Sequence, residues 1–172
     1  MAYHNQEATL NARHRVLQTI WSAGFFSVAS AGILFYVLAK QPKFTQELGT
    51  FQLIGLAFCV SYLMSFVIPP MIRKSNMVGL KNSFDKTNLQ GPDDEGISQK
   101  VFNVIQTSTI IAIALTEGAA FANLTLYLVG NSIYSFAAGG FGLAVLLLHY
   151  PSSTKVTALV DEVVADLKSV SN

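Results

Sequence analysis

No charged residue interrupts the chain between Leu17 and Ala39, and three more long apolar stretches follow at Phe51–Ile72, Val101–Val129 and Ile133–Tyr150. A helix rises about 1.5 Å per residue, so about 20 such residues cross a hydrocarbon core of about 30 Å. In lipid every backbone N–H and C=O must be paired inside the structure, which leaves helices or a closed barrel. These stretches lack the apolar–polar alternation of barrel strands. The expectation is all-α: an integral membrane four-helix bundle of two hairpins within residues 1–150. Its spans cover about 17–39, 51–72, 101–129 and 133–150, with a loop at 73–100 and a separate tail at 151–172.

Composition agrees with a membrane setting. Hydrophobic residues make up 51% of the 172 and charged residues 12%, with a net charge of +1. Soluble domains carry about twice that charged fraction. The absence of strong basic clusters argues against nucleic acid as a partner. A single cysteine, Cys59, excludes an internal disulfide framework and a four-cysteine metal site.

Orientation follows from Lys and Arg. Arg13, Arg15, Arg73, Lys74, Lys81, Lys86, Lys100, Lys155 and Lys168 fall on one side of the four-span arrangement. Only Lys40 and Lys43 fall on the other, and the Gly130–Ser132 turn is uncharged. Both termini and the central loop are therefore expected in the cytoplasm, in a cytoplasmic membrane such as the inner membrane of a bacterium. Arg13-His14-Arg15 ahead of an apolar run imitates a signal peptide, and Ala29-Ser30-Ala31 imitates its cleavage site. The run continues through Ile33–Leu38, too long for a signal core, so a retained span is expected.

Two segments outside the spans carry a pattern. Asp93, Asp94 and Glu95 follow a Gln90-Gly91-Pro92 turn, where acids at a helix start complement the macrodipole. They lack the ligand number and spacing of a cation site. In the tail, Val156, Leu159, Val160, Val163, Val164, Leu167 and Val170 recur on one helical face. Its polar side is not the Lys/Arg-rich one of a lipid-surface helix. The face is expected to bind a partner, a second copy or the chain's own cytoplasmic loop, and an intramolecular lid is equally open.

Glu117 stands near the middle of the third span, and an isolated carboxyl there costs about 2.5–3.5 kcal/mol when it faces lipid. Counting about 100° per residue, Gln106, Thr109, Thr116, Glu117, Ala120, Asn123 and Tyr127 share an arc of about 120°. Such a stripe belongs against other helices. Thr107 and Thr125 lie off it, where a threonine hydroxyl can bond to the preceding turn. Two roles remain open for Glu117: binding a proton or sodium ion, or hydrogen bonding to Thr116, Asn123 or a neighbouring helix. No second acid or base is at hand within the spans to complete a relay.

The run Ala112-Ile113-Ala114-Leu115-Thr116-Glu117-Gly118-Ala119-Ala120-Phe121, with Leu124 and Leu126-Tyr127-Leu128 after it, resembles the carboxylate helix of rotary ATPase proteolipid ring subunits. That resemblance covers one span in four and implies an ion-binding role for Glu117 among small neighbours. The chain departs from the family elsewhere. Its second span offers only Gly55 where ring subunits have a glycine-rich helix, and residues 73–100 replace a short polar turn. The duplicated four-helix ring subunits also carry their carboxylate in the last helix, not the third.

Remaining motifs read as structure. Pro69-Pro70 is expected to end the second span. Gly139, Gly140 and Gly142 do not follow a strand or precede a phosphate-binding lysine, so they are expected to allow close helix contact with Gly118, Ala119 or Ala120. His149 and Tyr150 suit a membrane interface, and Cys59 suits packing. No catalytic constellation, metal site or cofactor motif can be assembled, so an enzyme is not expected. The function expected is that of a structural or accessory subunit in a larger membrane assembly; the alternative is a proton- or sodium-handling subunit using Glu117.

Overall fold

A computed structural model describes residues 2–39, 49–86 and 94–170. They form five α-helices: α1 (Ala2–Leu38), α2 (Thr50–Lys86), α3 (Asp94–Gly130), α4 (Ile133–Leu148) and α5 (Ser153–Val170). Among the described residues there is no β-strand. Three apolar segments, Asn11–Leu38, Leu53–Leu80 and Ser98–Gly130, are long enough to cross a membrane; α4 and the first part of α5 make a fourth if the bent pair counts as one span.

The first three helices are 37 residues each, about 55 Å long and well beyond a bilayer core. Most of the expected 73–100 loop is therefore helix: α2 continues to Lys86 and α3 starts at Asp94, with Lys81 and Lys86 in α2 and Lys100 in α3. Residues 87–93 lie outside the described residues, as do Lys40 and Lys43. Asp94 and Glu95 do stand in the first turn of α3. Pro69 and Pro70 do not end α2 but sit inside it. Two missing N–H groups leave the carbonyls of Ser65 and Phe66 without their usual partners. Beyond the prolines, Met77 packs on a core cluster containing Leu17 and Val101, which holds the extension helical.

At 16 residues α4 is about 24 Å long, shorter than the fourth span read from the sequence. It stops because His149–Ser152 turns the chain, and α5 departs at 58°. The α3–α4 connection is tighter. Asn131 takes a left-handed conformation (φ 53°), and its N–H donates to Tyr127 O at 2.7 Å, closing α3 as a glycine often does.

α3 is the axis, touching each of the other four helices. Val28 of α1 meets Ile113, Ala120 and Leu124, while Tyr62 of α2 and Val145 of α4 meet Ala119. At the other end Leu17, Val101, Phe102 and Ile105 receive Val156 and Val160 of α5. Leu159, Val163 and Val164 pack against the same cluster. The tail face expected to receive a partner is thus covered by the chain itself, because α3 extends far enough to offer its own apolar side. The Leu167 side chain lies outside those described.

Contact between α3 and α4 depends on two glycines. A methyl at Gly142 would stand 2.6 Å from Ala120 Cβ and 2.9 Å from the Tyr62 hydroxyl; at Gly139 it would stand 2.7 Å from Leu124. Gly118 and Gly140 do not share this role, since both are exposed with nothing within 4 Å of a methyl there. Each lies on the outer side of its helix. Gly142→Val should lower the thermal stability of the detergent-solubilised protein by about 1–3 kcal/mol through overpacking. Gly140→Ala should leave the melting temperature unchanged, and equal losses for both would contradict this interface.

Candidate functional site

The stripe on α3 separates into a buried part and an edge. Thr116, Asn123, Tyr127 and Ala120 are fully buried, whereas Gln106, Thr109 and Glu117 are half-buried. Hydroxyls on α3 close onto their own helix. Thr116 Oγ1 donates to Ala112 O at 2.9 Å, and Thr109 Oγ1 to Ile105 O at 2.9 Å. Thr107 and Thr125 do the same toward Asn103 O and Phe121 O. Asn123 Nδ2 donates to Ala119 O at 3.0 Å. Glu117 bonds to neither Thr116 nor Asn123, whose hydroxyl and one amide N–H go to backbone carbonyls one turn earlier; of the partners open to it, a neighbouring helix remains.

Glu117 leans instead on α1. A methyl at Gly24 would meet Glu117 Oε2 at 3.0 Å and Ile113 Cγ2 at 3.5 Å. The carboxyl lies where α1 has no side chain, and no hydrogen bond or ion pair joins it to another described residue. It is the one acidic residue within the three membrane-length apolar segments. Such a group can take up a proton or a cation, and a donor from outside the chain can reach it.

On the opposite flank of α3, α2 approaches Asn123 through Gly55, where a methyl would stand 2.8 Å from Asn123 Oδ1. The Cys59 thiol and Tyr62 hydroxyl border the same amide. Tyr62 donates to Ala138 O at 2.9 Å, so α2, α3 and α4 meet there. Asn123 Oδ1 and Tyr127 Oη are buried without a hydrogen-bond partner among the described residues. Each orphaned group costs about 1–3 kcal/mol. The Tyr127 ring packs on Phe136 at 4.8 Å.

The sequence assigns no contact to Gly24 or Gly55, though each is the glycine that lets a neighbouring helix approach a polar residue of α3. The usable signal was a lone glycine in an otherwise bulky span, as Gly55 is in α2. Among the described residues, no three His, Cys, Asp or Glu side chains converge on a metal position. Comparison with known protein families, with curated proteins and with solved structures finds no match to this chain.

The Gly24–Glu117 contact is testable by a double-mutant cycle. Gly24→Val should destabilise the fold by about 1–3 kcal/mol, and Glu117→Ala should recover about 1 kcal/mol of it by vacating the space. Strict additivity in thermal melts would separate the two residues.

Proposed function

We propose that this chain is a small integral membrane protein serving as a structural or accessory subunit of a larger membrane assembly, made of its own copies or of other chains. It crosses a cytoplasmic membrane, the inner one in a bacterium, four times, by α1, α2, α3 and α4. Both termini are cytoplasmic, as the distribution of Lys and Arg requires. Cysteines placed at Lys43 and Lys81 in a Cys59→Ser background should label from opposite sides of the membrane; labelling from one side refutes this topology.

One observation supports the assembly role most. Bulky residues cover the exposed faces of α1 and α2: Phe26, Ile33, Leu34, Val37, Leu56, Leu63 and Phe66 are each at least 45% exposed. The open face of α3 differs. Ala114, Gly118 and Thr125 are exposed there, and Ala122 is half-buried. Spacing of four residues aligns Ala114, Gly118 and Ala122 along the helix, the small-xxx-small pattern by which membrane helices approach closely. Ala137, Gly140 and Ala144 are exposed on α4 as well. Lipid has no need of so shallow a surface, whereas a helix can seat on it.

Gly118→Leu fills that face without touching the core, since nothing lies within 4 Å of a methyl there. The variant should melt like the parent yet lose its companions or its self-association in mild detergent. Unchanged assembly at unchanged stability would remove the α3 face from the proposal.

A second reading rests on Glu117, which stands beside this face without a hydrogen bond to another described residue. A docked helix would enclose the carboxyl and make it a site for a proton or sodium ion. Glu117→Gln should then preserve assembly but abolish proton or sodium flux in reconstituted vesicles. Equal flux in parent and variant leaves the structural role alone.

A further inference from the structure

At the corner between α4 and α5 a cleft of about 240 Å³ opens between α2, α3 and α5. Arg73 of α2 and Lys155 of α5 face it from two sides, with His149 at the corner itself. Among the described residues, none that lines it is acidic. Neither Arg73 nor Lys155 forms an ion pair with another described residue. The hydroxyl protons nearby are already committed: Ser108 Oγ donates to Ile105 O, and Ser65 Oγ donates to Tyr62 O while meeting His149 Nε2 at 2.9 Å. What the cleft offers a ligand is therefore positive charge from two elements, with no counter-charge lining it among the described residues.

The cleft's position narrows the anion to one class. Trp21 and Tyr150 contact edge-to-face at 4.8 Å, and Trp21 Nε1 donates to Leu146 O at 2.6 Å. Such a pair marks the level where hydrocarbon meets headgroups. Leu148 is 65% exposed and Phe66 45% exposed at the cleft's wall. Charge inside and open apolar surface outside match a molecule that carries a phosphate on one end and acyl chains on the other. We propose that this cleft binds the phosphate of an anionic phospholipid, with Arg73 and Lys155 on the phosphate and the acyl chains along Phe66 and Leu148. The inference rests on insertion in a membrane but not on the assembly role, so the two fail separately.

The test uses the full chain purified in a neutral detergent and titrated with phosphatidylglycerol or phosphatidylcholine, with bound lipid read by native mass spectrometry. Phosphatidylglycerol should be retained over phosphatidylcholine. The preference should fall about fivefold in Lys155→Gln and about thirtyfold in the Arg73→Gln/Lys155→Gln double variant. Arg15→Gln and Lys74→Gln, outside the cleft, should retain it. Lys155 is exposed on the first turn of α5, so its single variant keeps the fold, and a thermal melt of each protein checks this. Equal retention of the two lipids, or full retention by the double variant at parental stability, overturns the proposal. Displacement of the lipid by millimolar inorganic phosphate would assign the cleft to free phosphate and overturn the lipid assignment.

Discussion

The approach of α4 to α3 at Ala120 sets the spacing of the rest of the bundle. Ala120 is fully buried, and a methyl added at Gly142 would reach 2.6 Å from its Cβ. Inside lipid the hydrophobic effect gives helices no reason to associate, so they must gain from packing contact itself. Small residues at this crossing let two backbones come close and bring Tyr62 of α2 within reach of Ala138 O. Gly24 and Gly55 repeat the device where α1 and α2 meet α3. α1, α2 and α4 each therefore meet α3 at a position without a side chain.

The end of the bundle bearing the α4–α5 corner obeys a different force. Val156 and Val160 leave the surface to join Leu17, Val101, Phe102 and Ile105. If water reaches this level, each such burial contributes about 1.5–3 kcal/mol, a driving force the lipid portion lacks. His14 Nε2 meets Pro151 O at 2.8 Å, and Gln18 Nε2 donates to Tyr150 Oη at 3.1 Å, tying α1 to the corner. Arg13 Nη1 donates to Asn103 Oδ1 at 2.8 Å and fixes α1 to α3 nearby. Polar side chains can bridge helices here; deeper in, the threonines bond only to their own helix.

Much of this was legible in the sequence, and the failures share a cause. Long apolar runs reveal α1 to α3, and the valine spacing reveals α5, because both are local patterns. Counting around α3 places Thr116, Ala120, Asn123 and Tyr127 on one arc, and all four are buried. The same arc ends at Gln106 and Glu117, which are only half-buried, since a wheel has no neighbours to define its edges. Helix ends were less readable. Arg73 and Lys74 suggest a loop, yet Met77 carries α2 onward by a contact with residues distant in sequence. Gly140 and Gly142 are two residues apart and share a composition, but only Gly142 faces α3. Residue type cannot distinguish them; rotation about the α4 axis does.

The depth of Glu117 connects the open face to the cleft. From Thr109, which lines the cleft, to Glu117 is eight residues, about 12 Å along α3. From Glu117 to Gly130, where α3 ends, is about 20 Å. On the proposal that the cleft sits at headgroup level, the carboxyl would lie close to the midplane of a core about 30 Å thick. A carboxyl would cost most at that depth, and no described residue gives it a hydrogen bond. On one side stands Gly24; on the other the surface opens onto Gly118, exposed and unfilled. On the assembly reading, this group stands next to the small-residue face on which a helix would dock. A docked helix would remove lipid from the small-residue face and enclose the carboxyl in the same step. Assembly and any ion chemistry at Glu117 would then share one cause.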